Sequence, residues 1–149
     1  MPTHFDGNEE ERRALDLFIK LSRASESILE RTECPIAQAG LTPSQFGVLE
    51  TLYHLGPMMP SQLADKHLKS RNNFTIVIDN LEKRGLVTRC RGAQDRRSVL
   101  VSLTDAGKQK IETLFPAFVA GMVREMSVLT TEEQEQLAGL LRILGKGHR

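Results

Sequence analysis

The sequence predicts a mainly α-helical fold carrying one small β-hairpin, and three observations point to it. Phe74, Val77, Ile78 and Leu81 fall at i, i+3, i+4 and i+7, the apolar stripe of an amphipathic helix. Residues 86–91 and 98–103 are two strand-like runs rich in Val and Leu, separated by the basic loop Gly92-Ala93-Gln94-Asp95-Arg96-Arg97. Long amphipathic helical patterns flank this unit on both sides. Just upstream of the striped helix, residues 59–68 form a short helix with Pro60 near its start, joined through a tight turn at Lys69. A helix-turn-helix followed by a hairpin is a winged helix-turn-helix, here with N- and C-terminal helices left over for dimerisation.

The first helix is expected from Glu9 to about Thr32, with Leu15, Phe18, Leu21, Ile28 and Leu29 on one face. Cys34-Pro35 breaks it, and residues 36–41 read as a loop. Thr42-Pro43-Ser44-Gln45 combines an N-cap threonine, proline at N1 and glutamine at N3, opening a helix that carries Phe46, Leu49, Leu52 and Tyr53 to Gly56-Pro57. Ser70 is the expected N-cap of the striped helix, and Gly85, behind Lys83 and Arg84, its C-terminal glycine. Thr104 should cap the next helix, which Pro116 should kink. Thr130-Thr131-Glu132-Glu133 is a capping-box start for the last helix, with Leu137, Leu140, Leu141 and Leu144 on one side.

At 149 residues a single protomer with its own core is expected, without internal repeats. The expected division is 42–104 for the winged part and 9–33 and 105–147 for the dimerisation helices. The terminal helices carry more apolar surface than a small winged core can cover, so a two-fold dimer is the economical arrangement.

Net charge is only +1, yet residues 66–97 hold nine Lys/Arg against three Asp/Glu. Positive charge is thus gathered on the helix and hairpin, as phosphate binding requires. On the helix face opposite the apolar stripe stand Asn72, Ile76, Asp79 and Lys83, flanked by Asn73 and Asn80. Asparagine bonds adenine bidentately in a major groove, and an exposed isoleucine suits a thymine methyl.

No apolar run of about 18 residues and no secretory leader is present, so the chain reads as cytoplasmic and without a membrane partner. The two cysteines and four histidines share no metal-ligand spacing. Glycine-rich phosphate loop, nucleophile elbow and His-Glu-x-x-His are all absent, so no enzyme and no cofactor are expected.

Asp95-Arg96-Arg97, followed after five residues by Leu103-Thr104, with Leu81-Glu82-Lys83-Arg84-Gly85-Leu86-Val87 before it, closely resembles the MarR family of bacterial transcriptional regulators. The resemblance extends over nearly the whole chain. It implies a homodimer on an inverted-repeat, double-stranded operator, each recognition helix in a major groove, and most often repression. Ser70, Arg71, Asn72, Asn73, Thr75 and Ile76 are the expected contacts to base edges and flanking phosphates. Ile76 is a departure, since family members often carry a basic residue there. Ser61 and Gln62 are candidates for phosphate, while Arg96 and Arg97 would enter a minor groove with Asp95 bracing one of them.

The resemblance also implies a small aromatic or phenolic effector between the dimer helices and the winged part. Candidate lining residues are Phe18, Phe46, Tyr53, His54, Phe115 and Phe118, and the stretches 52–56 and 115–116 look most like the catechol- and quinone-responsive branch. Two alternatives stay open: a thiol-based redox sensor using Cys34 or Cys90, and a winged helix used for protein contacts alone.

Overall fold

Side-chain caps set where most helices of this chain begin. In the computed structural model, which describes residues 4–67, 71–92 and 97–148 (without the side chains of 71 and 72), Asn8 Oδ1 accepts the Glu11 N–H at 2.9 Å while Glu11 accepts the Asn8 N–H. This reciprocal cap opens α1, Glu9–Thr32. The same arrangement at Thr42 and Gln45 opens α3, Pro43–Leu55, and at Thr130 and Glu133 opens α7, Thr131–Lys146. Thr104 caps α6, Asp105–Met126, as expected.

Between α1 and α3 the expected loop is replaced by a short helix, α2, Cys34–Gln38. Pro35 ends α1, but it also lies in the first turn of α2, where a missing N–H costs nothing. Gly40, at φ 72°, closes α2: its N–H bonds Ala37 O and the Leu41 N–H reaches back to Ile36 O. Breaking one helix here starts another.

The winged unit follows as α4 (Pro60–Lys66), α5 (Arg71–Lys83), β1 (Val87–Arg91) and β2 (Val99–Leu103). The expected N-cap Ser70 lies outside the described residues. Gly85, at φ 71°, ends α5 with Gly85 N–H on Glu82 O and Leu86 N–H on Leu81 O. β1 and β2 pair antiparallel, Val87 opposite Leu103 and Arg91 opposite Val99. Met58 adds a bridge to Val101 on the free side of β2, tying the α3–α4 connection to the wing. Within α6 the helix continues through Pro116.

The apolar stripe of α5 is the centre of the core: Phe74, Ile78 and Leu81 are fully buried and Val77 half-buried, packed with Val48, Leu49, Leu63, Val87, Val101 and Ile111. Removing a buried phenyl leaves a cavity as well as losing transfer energy. Phe74→Ala is therefore expected to lower the unfolding free energy by about 3–5 kcal/mol. Chemical denaturation followed by circular dichroism, at fixed protomer concentration, checks this; a loss under about 1 kcal/mol would contradict the central place given to this stripe.

The outer helices behave differently. α7 buries no residue at all, and α1 buries only Thr32. Leu17, Leu29, Leu140, Ile143 and Leu144 are each more than half exposed. Between α1 and α7, over Met126, opens a nearly all-apolar groove of about 750 Å³.

Candidate nucleic-acid interface

The burial of Phe74, Ile78 and Leu81 decides which face of α5 looks outward. Asn73, Thr75, Ile76 and Asn80 are exposed there, Ile76 at 60%. Arg71 and Asn72 belong to the first turn of the same helix. In α4, Ser61 is half-buried and Gln62 exposed. Gln62 Oε1 accepts the Met59 N–H at 2.9 Å. At the hairpin, Gly92 N–H bonds Ser98 O and Arg97 is exposed; Asp95 and Arg96 lie outside the described residues.

The charges on α5 are arranged by a residue that sequence reasoning missed. Arg89, in β1, donates Nη2 to Asp79 Oδ1 at 2.6 Å and Nη1 to Glu82 Oε1 at 2.9 Å. Its backbone N–H also bonds Glu82 Oε2 at 3.1 Å. Partial burial works against the Arg89 charge, but the hydrogen bonds and charges of Asp79 and Glu82 outweigh it, and the guanidinium is held above its ordinary range. Both acids of α5 are thus bound to a cation from β1. The available signal was the i, i+3 spacing of Asp79 and Glu82, which places two carboxylates on one helix side.

Arg84 turns inward as well: Nη1 donates to Gly40 O at 2.6 Å and lies 3.5 Å from Gln45 Oε1. Arg89 and Arg84 therefore hold parts of the domain together. Lys66, Lys83, Arg91 and Arg97 are exposed.

The structure brings five of the six aromatic candidates into one row. Phe46 and Phe118 have ring centroids 4.6 Å apart, Phe118 and Phe115 6.3 Å, Phe115 and His54 4.8 Å, and His54 and Tyr53 5.0 Å. Tyr53 Oη donates to Glu112 Oε1 at 3.3 Å. Phe46 is buried core, whereas Phe115 and Phe118 are half-buried and Tyr53 and His54 line the exposed end. Phe18 stands apart on α1, 64% exposed. Cys34 and Cys90 are exposed free thiols, with Gln38 Nε2 3.3 Å from Cys34 Sγ. Among the described residues no group of three or more His, Cys, Asp or Glu converges to hold a metal, and no helix is long and apolar enough to cross a membrane.

This geometry has close counterparts. Residues 41–99, from the loop before α3 to the start of β2, match the model of the MarR family. Two Bacillus subtilis (strain 168) proteins are each 37% identical to the chain. The HTH-type transcriptional regulator MhqR aligns over 89% of this chain and 92% of its own, and the uncharacterized HTH-type regulator YkoM over 93% and 90%. The chain belongs to the MarR family.

Among solved structures, the transcriptional repressor CouR bound to a 23-mer DNA duplex superposes with a TM-score of 0.80 at 27% identity, over 94% of this chain and 99% of CouR. NadR in complex with 4-hydroxyphenylacetate gives 0.76 at 26% identity, over 99% and 100%. As a MarR-family member the protein is a DNA-binding transcriptional regulator with the winged-helix fold, not an enzyme. In the winged-helix fold α5 takes the place of the second helix of the helix-turn-helix and the β1–β2 hairpin that of the wing.

Proposed function

We propose that the protein is a homodimeric repressor that reads an inverted-repeat operator and releases it on binding a small aromatic acid or phenol. The observation that carries the DNA part is the recognition helix itself. Its apolar stripe is buried while Asn73, Thr75, Ile76 and Asn80 stand exposed beside a wing that supplies Arg97. Arg71 to Ile76 sit in the N-terminal half of α5, the part that meets base edges in such motifs. Ser61, Gln62 and Ser70 would take flanking phosphates, and Arg96 and Arg97 the adjacent minor groove, with Asp95 bracing one of them. The work is done where the DNA is, in the cytoplasm.

Dimerisation through residues 9–33 and 105–147 is supported by the uncovered apolar faces of α1 and α7. The repressor sense follows CouR, which is named a repressor. The effector class follows NadR, crystallised with a phenolic acid, and the aromatic row from Phe46 to Tyr53 at the junction of α3 and α6. Footprinting should show two protected half-sites about one helical turn, ~34 Å, apart. A panel of phenols and aromatic acids should then weaken that complex. A single unpaired footprint, or a panel without effect, would contradict the corresponding part. Peroxide that alone released the DNA would shift the account to the Cys34 or Cys90 thiols.

A further inference from the structure

We infer that the contact between residues 85–86 and residues 104–107 sets the half-site spacing this regulator accepts, by fixing the angle between recognition helix and α6. The inference rests on the dimeric, operator-reading function proposed above. At this point the end of α5 and the start of α6, separated in sequence by the whole wing, are joined directly. Thr104 Oγ1 donates to Gly85 O at 2.6 Å and accepts the Gly107 N–H at 3.1 Å. The Thr104 N–H bonds Leu86 O at 3.1 Å, while the Leu86 N–H is held by Leu81 O at 3.0 Å. Capping α6 needs only the bond to Gly107. The second bond, out to Gly85, serves the joint.

Gly107 is what permits the approach. A Cβ placed there would lie 2.0 Å from Leu86 O and 2.9 Å from Leu86 C. Both are backbone atoms, so no side chain can swing aside to make room. Leu86 is 7% exposed and Val87 1%, so the joint rests on the core on one side, while the Thr104–Gly85 bond lies at the surface. Any residue other than glycine at 107 must push the first turn of α6 away from the last turn of α5.

A small push has a long reach. α5 has 13 residues, so its far end lies ~20 Å from the joint at 1.5 Å per residue, and a rotation of about 5° moves it by roughly 2 Å. Hydrogen bonds to base edges tolerate only a few tenths of that, so the joint angle decides which spacing lets both recognition helices engage at once. α6 leads into the apolar faces assigned to the dimer, so the angle at each joint is carried to the partner.

The test measures binding of the full chain to duplexes in which the two half-sites are moved apart or together by one base pair, with an isolated half-site alongside. Wild type is expected to favour one spacing by about tenfold or more. Gly107→Ala and Thr104→Val should flatten that preference to within about threefold or move its optimum. Their affinity for the isolated half-site should stay within about twofold of wild type, and Thr104→Ser, which keeps the hydroxyl, should keep the wild-type profile. Circular dichroism and dimer mass establish folding; if Gly107→Ala does not fold, the contrast of Thr104→Val with Thr104→Ser decides. Folded variants with the wild-type preference, or an equal loss on every duplex including the half-site, overturn the inference. Wild type that binds no duplex, or binds every spacing alike, overturns the dimeric reading beneath it.

Discussion

Placing glutamate at both Leu140 and Leu144 is expected to separate the protein into monomers and to weaken operator binding by roughly 10²–10⁴-fold. α7 buries nothing within one chain although Leu140, Ile143 and Leu144 are 64%, 67% and 52% exposed. With Leu17 and Leu29 of α1, at 57% and 53%, they line one apolar groove, and contiguous exposed apolar surface of this kind marks an interaction site. In the proposed dimer a second copy covers it by two-fold symmetry, each patch meeting its equal. Two carboxylates in that contact would be desolvated without partners. The two half-sites would then be bound independently, and the avidity of the linked pair lost. Analytical ultracentrifugation and DNA-binding titrations check both effects; a variant that stays dimeric would contradict the assignment of this face.

Arg89→Ala should weaken DNA binding by roughly tenfold to a hundredfold while changing folding stability by about 1 kcal/mol or less. The stability effect is small because Asp79 and Glu82 side chains are 47% and 42% exposed, and water screens what the fork contributes. The binding effect is larger because the loss unmasks two carboxylates on the recognition helix and frees the wing from it. Arg89→Lys should recover only part, since an ammonium cannot bridge two carboxylates in a planar fork. A raised basic pKa stabilises at all pH values below it and ceases to do so only as pH rises through it, so no titration of Arg89 should appear across the neutral range. DNA affinity of Arg89→Ala within a factor of about two of wild type would contradict the role given to this pair.

Local patterns carried most of the fold. The stripe at Phe74, Val77, Ile78 and Leu81, the capping pairs at Thr42 and Thr130, and the glycine at 85 each encode their element within a few residues, and each forms as expected. What escaped depends on register between distant elements. α2 escaped because Pro35 serves both as a stop and as a first-turn residue, and only the Gly40 closure distinguishes the two. The Met58–Val101 bridge and the Arg84 contact with Gly40 span 43 and 44 residues, beyond any periodicity. Arg89 entered only as one of the nine basic residues of 66–97. Its role emerges only when β1 lies along α5 and turns the guanidinium to the Asp79–Glu82 side.

For the outward face of α5, the exposure of Asn73, Thr75, Ile76 and Asn80 was legible because a stripe that is buried defines the face that is not. The aromatic set was legible in part. Phe46, Tyr53, His54, Phe115 and Phe118 share one neighbourhood, but Phe18 stands apart from it on α1, 64% exposed.

The most direct test is a titration of the dimer against DNA from its own upstream region, or against sites recovered by selection, over a range of salt concentrations. The account predicts specific binding with a log–log salt slope of roughly −5 or steeper, the signature of six or more phosphates neutralised. Arg97→Ala should make that slope shallower by about two, one contact per protomer. A folded dimer that finds no preferred DNA, or binds with no dependence on salt, would contradict the assignment of α5 and the wing as the reading surface.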